Sequence, residues 1–226
     1  ENERAAIARL RSPANQLGYA LQLCCLRFPG RYLRRGELLP AIMLDHVAEQ
    51  IDVDADVIAD FAKRGPTRYE QLASIKRNHG FVDLTHPVRA ELKQWLEAEA
   101  LSCTDGRLLL ERLIARIQER KIIIPGVSVI ERLTASAMHA ADAKVASEIL
   151  AQLNTEQKAK LNAVLDDKTH AQQSRLSWLR EPPIRVGARG LFELLDKIDY
   201  IRRLGIGELA LPDYLKLRLS QLAREG

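Results

Sequence analysis

With 226 residues, of which 46% are hydrophobic and 28% charged, the chain is long enough for one large domain or two small ones, each with its own core. The net charge of +4 excludes an acidic disordered chain and leaves a nucleic-acid partner open, with the positive excess at both ends and a neutral middle. No apolar run approaches the roughly 18 residues of a membrane span, so no membrane partner is expected.

Aromatic residues make up only 5%, so aliphatic side chains must fill the core. Cys24, Cys25 and Cys103 form no CxxC pair and are expected as buried structural thiols in a reducing compartment. No signal peptide is visible. The first residue is Glu1 rather than Met, as expected for a piece of a longer chain.

Helical periodicity runs through almost the whole sequence. The expected class is all-α, with many helices in two or three small modules. Residues 2–11 read as an opening helix. Ser12–Pro13 is a start signal, with Ser as N-cap and Pro in the first turn. Leu17, Leu21 and Cys24, spaced four and three, give the next helix a buried stripe, and Pro29–Gly30 stops it. The turn there carries Arg27, Arg31, Arg34 and Arg35, with Phe28 and Tyr32 between them. Those residue types suit a phosphate backbone.

Pro40 opens a third helix to about residue 50. Asp54 caps a fourth, over 55–63, that buries Val57, Ile58 and Phe61. Gly65–Pro66 breaks the chain, Thr67 caps a fifth helix to His79, and Gly80 stops it. Helix, short glycine-containing turn, helix is the outline of a helix-turn-helix. On the fifth helix Leu72 and Ile75 are assigned inward with Ala73, and Thr67, Gln71, Ser74 and Asn78 to the opposite face. The N-terminal part of such a helix meets base edges, where Gln suits adenine and Arg suits guanine. The expected base readers are therefore Thr67, Arg68, Gln71, Ser74 and Asn78, led by Arg68 and Gln71, with Arg64, Lys76 and Arg77 on phosphates. Paired amphipathic helices also occur in all-α proteins that bind no DNA.

Thr85-His-Pro begins a sixth helix to Ser102, and Thr104–Asp105 caps a seventh over 105–120. Lys121 to Pro125 is a brief extended stretch with no partner strand evident nearby. Pro125–Gly126 leads into the longest helix, 127–153, about 40 Å of helix at 1.5 Å per residue. Its start offers free backbone N–H groups at Gly126, Val127 and Ser128, with Arg120, Lys121 and Arg132 around them. That combination makes a candidate phosphate site. A solvated helix start capped by Ser128 is the plain alternative. Four more helices follow, over 154–165, 170–180, 187–204 and 211–223. Asp166-Asp167-Lys168 marks a boundary. The expected modules are 1–84 with the helix-turn-helix, 85–168 with the long helix, and 169–226 as an extension or third module.

The motifs of chemistry are missing. There is no Walker A loop, GxGxxG, HExxH or GxSxG, and the five histidines are scattered. Asp52, Asp54 and Asp56 straddle a helix start, where carboxylates favour the dipole, with Asp60 beyond them. No catalytic residue, metal ligand or cofactor is expected within these residues.

Several stretches, in one order, resemble the transposases of the Tn-three family, the class II replicative transposons that move through cointegrates. They are LGYALQLCCLRFPGRYL (17–33), AEQIDVDADVIADFAKRGPTRYEQLASIKRNHGF (48–81), ERKIIIPGVSVIERL (119–133), LSWLREPP (176–183) and LAREG (222–226). The family pattern often has His where this chain has Gln71, and an acidic residue where it has Ser74. The resemblance implies the N-terminal DNA-binding region of such a transposase, in the bacterial cytoplasm at the nucleoid. Its partner would be the double-stranded DNA of the transposon's terminal inverted repeats. It also implies that a catalytic part follows, with an RNase H-like core and an Asp-Asp-Glu site for Mg2+. A helical self-association module, built on 127–153 and the leucine-rich 191–222, is the alternative.

Overall fold

The computed structural model describes residues 2–34, 36–61, 65–166, 174–183, 187–207 and 209–225. Among them the protein is all-α, with no named strand and a parallel bridge between Val82 and Ile122. The chain divides into two compact units, residues 1–99 with 105–137, and residues 100–104 with 138–226.

The first unit is built around α2 (Pro13–Arg27). Ser12 Oγ accepts the Asn15 N–H at 3.3 Å, and Pro13 sits where a helix has no use for its missing donor. From Ala14 to Leu26 the sequence carries no charge, and every residue from Leu17 to Leu23 is buried. A helix apolar on all sides must be surrounded. α1 (Asn2–Ala8), α3 (Ala41–Gln50), a 3-10 helix (Ala55–Asp60) and α4 (Gly65–His79) pack around it. Leu17, Leu21, Leu26 and Ile75 are fully enclosed, each burial stabilising by about 2 kcal/mol. Gly18 lies directly under the Phe61 ring, and a Cβ there would collide with it.

Two expectations change here. Of the segment expected as a helix over 55–63, Ala55–Asp60 is a 3-10 helix, capped by Asp54 Oδ1 on the Asp56 N–H at 2.9 Å, and residues 62–63 lie outside the described residues. Gly65–Pro66 opens α4 instead of breaking the chain before it, because the first turn of a helix tolerates proline.

Beyond α4, α5 (His86–Leu101) and α6 (Gly106–Glu119) run antiparallel. Their contacts fall at reversing positions. Arg112 pairs with Glu99 at 2.9 Å, the Arg116 guanidinium lies 5.7 Å from the Trp95 ring centre, and Arg120 pairs with Glu91 at 2.7 Å. Asp105 Oδ1 caps α6 through the Arg107 and Leu108 N–H groups. The chain then turns at Lys121, in the left-handed region at φ 52°, and enters α7 (Val127–Gln152). The extended 121–125 stretch does have a partner. Val82 N–H donates to the Lys121 carbonyl at 3.0 Å, and Ile123 N–H donates to the Val82 carbonyl at 2.9 Å.

The second unit holds the later part of α7, α8 (Thr155–Asp166), α9 (Arg175–Arg180), α10 (Ala188–Arg203) and α11 (Asp213–Glu225). Its polar anchor is Arg218, 1% exposed, which donates to the Ala100 and Cys103 carbonyls and pairs with Asp142. Gln157 Nε2 donates to the Gly205 carbonyl at 2.7 Å, and Lys160 Nζ to that of Arg203 at 3.2 Å, so α8 satisfies the end of α10. Arg175 lies over both rings of the edge-to-face pair Trp178 and Tyr200, 5.7 and 5.5 Å from their centres. On α10, Leu191, Phe192, Leu194, Leu195, Ile198 and Ile201 are exposed.

Candidate nucleic-acid interface

The proline–glycine turn after α2 is tied down on both sides. Gly30 and Arg31 N–H groups return to the Cys25 carbonyl at 2.9 and 3.0 Å. The Gly30 carbonyl accepts the Ile124 N–H at 2.8 Å. Gly30 has φ 99°, and a Cβ there would lie 3.1 Å from Ile124 Cδ1. The turn is thereby fixed to the segment that leads into α7. Two corners far apart in sequence now share one cleft of about 350 Å³. One wall is Arg31, Tyr32 and Arg34, and the other is Asp83, Pro125 and Gly126.

α7 begins at the rim of this cleft. Val129 N–H returns to the Gly126 carbonyl at 2.9 Å, so Gly126 stands at the cap position and Ser128 is the second helical residue, not the cap. The first N–H groups of a helix have no partner inside it and carry its positive end. Val127 and Ser128 are exposed there. Arg132 turns back toward the same end, its Nε donating to the Ser128 carbonyl at 3.0 Å.

The charges are partly matched from within. Both terminal nitrogens of Arg31 grip the Glu37 carboxylate, and Nη1 also donates to the Tyr32 carbonyl at 3.1 Å. The Arg34 N–H donates to Glu37 Oε2 at 2.9 Å. The Arg31 guanidinium and then this N–H hold the Glu37 carboxyl down to about 2. Asp83 accepts from Tyr32 Oη and, at 2.6 Å, from Lys76 Nζ. Partial burial opposes its ionisation, but those two bonds prevail and keep it below the usual carboxylate range. Burial first, and Asp83 second, push the Tyr32 phenol up. The Arg34 side chain is exposed and acts on Glu37 through its charge alone, with no side-chain hydrogen bond or ion pair among the described residues.

The residues of the fifth expected helix sit otherwise than the sequence pattern implied. Gln71 is 5% exposed, bonded to Gln22 at 3.2 Å and donating to the Asn15 carbonyl at 3.3 Å. It lies one turn before the buried Ile75 and so shares its inward face. A base reader must reach a groove, and Gln71 does not. Arg68 is half-buried and its guanidinium donates to the Leu33 carbonyl. Thr67 lies in the first turn of α4. Ser74 is half-buried and accepts from the exposed Asn78 at 3.3 Å. The outward face carries Tyr69, 75% exposed, with Arg77 and with Ala73, which the sequence pattern assigned inward.

Among the other expected phosphate contacts, Arg27 pairs with Glu3, Lys76 with Asp83 and Arg120 with Glu91. Lys121 Nζ donates to the His79 carbonyl at 3.0 Å. Such surface pairs are worth at most about 1 kcal/mol. Arg35 and Arg64 lie outside the described residues. Sequence reading missed Glu37, Asp83 and Tyr69. Tyr69 was findable, since Ala73 and Arg77 follow it at steps of four, but the two acids stand at no spacing that pairs them with their cations.

Burial pushes the Cys24 and Cys25 thiols up, as suits structural cysteines. Among the described residues no three His, Cys, Asp or Glu converge to hold a metal ion, and no helix is long and apolar enough to cross a membrane.

Fold and site together define an all-α protein with a cleft at a helix N-terminus that has Arg31 and Arg34 on one wall and Asp83 on the other. The chain belongs to the DUF4158 family, a domain of unknown function whose model matches residues 1–137, ending where the first unit ends. Its full length is 31% identical over 231 residues to the transposase for transposon Tn2501 of Escherichia coli, of which it covers 23%. It is 27% identical over 222 residues to the transposase for transposon Tn1546 of Enterococcus faecium, with 97% of this chain and 22% of that protein covered. The transposase for transposon gamma-delta of Escherichia coli K12 is 28% identical over 228 residues, with 99% and 23% covered. The chain thus spans about a quarter of the length of the curated relatives it matches.

Proposed function

We propose that the chain is the N-terminal, end-binding part of a Tn-three-family DDE transposase and acts in DNA transposition. In this reading it binds double-stranded DNA of the terminal inverted repeats, in the bacterial cytoplasm at the nucleoid. The observation that carries the reading is the meeting of the arginine turn and the α7 N-terminus around one cleft. The full-length similarity to transposases supports it. Arg34, the α7 N–H groups and Arg132 hold phosphate, while Arg27, Arg77, Arg120 and Lys121 exchange or extend their contacts along the backbone. Base edges face Asn78 and Tyr69. The helix-turn-helix role of the 3-10 helix and α4 belongs to the same reading, with α4 as the groove-facing member. Strand chemistry and its Mg2+ belong to the Asp-Asp-Glu part beyond these residues.

Anisotropy titration of the 226-residue chain tests this, with a labelled terminal-repeat duplex against a scrambled one at near-physiological salt. Tighter binding to the repeat, weakening by about 0.9 in log–log slope per phosphate neutralised, is expected. Equal affinity for both duplexes sinks the sequence-specific reading.

A second reading rests on the exposed apolar stripe of α10 from Leu191 to Ile201, which suits self-association. Light scattering over a concentration series decides it, and a mass fixed at one chain throughout rules it out.

A further inference from the structure

Phe28 and Pro29 stand at the outer tip of the same turn. Phe28 is 79% exposed and Pro29 is exposed beside it. A lone exposed apolar side chain is ordinary, but this one is presented on a fixed support. Phe28 N–H returns to the Cys24 carbonyl at 2.8 Å, and Gln118 Nε2 donates to the Pro29 carbonyl at 3.4 Å. The next residue, Gly30, is buried and bonded to Ile124. The backbone under the ring is therefore held from α2, from α6 and from the segment entering α7. The other two phenylalanines of the unit go inward, Phe61 over Gly18 and Phe81 against the core.

Cations flank the tip. Arg27 precedes Phe28 and keeps half its side chain exposed, and Arg31 and Arg34 of the cleft follow it in the chain. A rigid apolar ring and a proline, set between cations that face phosphate in the proposed reading, match the chemistry of a side chain that enters a base step. Such wedges unstack neighbouring bases and bend the duplex. The aromatic face also gains stacking on any base it meets, whatever the sequence.

We propose that Phe28, backed by Pro29, is a wedge that enters a base step of the bound duplex next to the phosphate held in the Arg31–Gly126 cleft. The inference rests on the DNA-binding reading and adds to it a distortion of the duplex. The wedge supplies no base identity. It favours steps that unstack easily, such as pyrimidine–purine steps, and so contributes preference through deformability.

The test uses the 226-residue chain and terminal-repeat duplexes with 2-aminopurine placed at successive steps. Wild type is expected to raise the fluorescence at one or two adjacent steps. Phe28→Ala is expected to abolish that rise and to weaken binding roughly tenfold while the salt slope stays the same. Phe28→Leu, which keeps an apolar wedge, retains most of the rise. If wild type binds the duplex with no local rise, or if Phe28→Ala keeps both signal and affinity, the wedge is refuted and the DNA-binding reading survives. If wild type binds no duplex in the anisotropy titration, both fall together.

Discussion

Replacing Gly30 by alanine tests whether the junction between the turn and the 122–124 segment shapes the site. Gly30 holds φ 99°, and a Cβ there would stand 3.1 Å from Ile124 Cδ1 and 3.4 Å from its Cγ1. The positive φ alone costs an L-residue about 1–2 kcal/mol. The contact adds to it, because the Ile124 side chain must shift by a few tenths of an ångström while its N–H stays on the Gly30 carbonyl at 2.8 Å. A loss of about 2 kcal/mol in urea unfolding is therefore expected. In the folded population the arginine wall shifts away from Gly126, and affinity for duplex DNA falls about tenfold, the equivalent of 1.4 kcal/mol. Gly205→Ala is the control. It has a similar backbone, φ 70°, in the second unit, with its nearest neighbour 3.7 Å away. It should show the backbone cost without the binding loss. A Gly30→Ala chain as stable as wild type would refute the steric argument. One that is destabilised but binds DNA undiminished would refute the role of the junction in the site.

Three further outcomes follow from the side chains around the cleft. Arg34→Ala should weaken binding to terminal-repeat and scrambled duplexes alike and lower the salt slope by about 0.9, as measured by anisotropy over a salt series. A change confined to the repeat would mean that Arg34 reads bases. Gln71→Ala should cost about 1–3 kcal/mol of stability in urea unfolding, because it leaves buried Gln22 Nε2 without its acceptor. A Gln71 change that leaves stability intact and alters sequence preference would restore it as a reader. Glu37, ordinarily near 4.5, titrates at about 2 in the folded chain, so it stabilises the 31–37 loop fully above pH 4.5 and loses that contribution as pH falls toward 2. Comparing wild type with Glu37→Gln in acid unfolding should show a smaller decline for the variant across that window, and parallel curves would contradict the Arg31–Glu37 clamp.

Sequence alone determined the elements whose cause is local. The Ser12–Pro13 start, the Asp105 cap and the apolar stripe of α2 each act within one or two turns, and the helices follow them closely. The all-α class rests on the same periodicity. The arginine turn and the α7 start were both legible as local features, because glycine, proline and clustered cations are read from neighbouring positions. Their meeting was not. It depends on Gly30 accepting from Ile124 and on Val82 pairing beside Ile122, contacts between segments that carry no mark of one another. The inward turn of Gln71 was likewise tertiary, since its polar side chain is buried only because Gln22 and the Asn15 carbonyl receive it there. The acids Glu37 and Asp83 decide which arginines and lysines are already engaged, and only the folded chain brings them to their partners. Local spacing fixes which helices form and where they stop. Which cations stand free to meet an anion is set by long-range pairing, and that is a property of the tertiary structure.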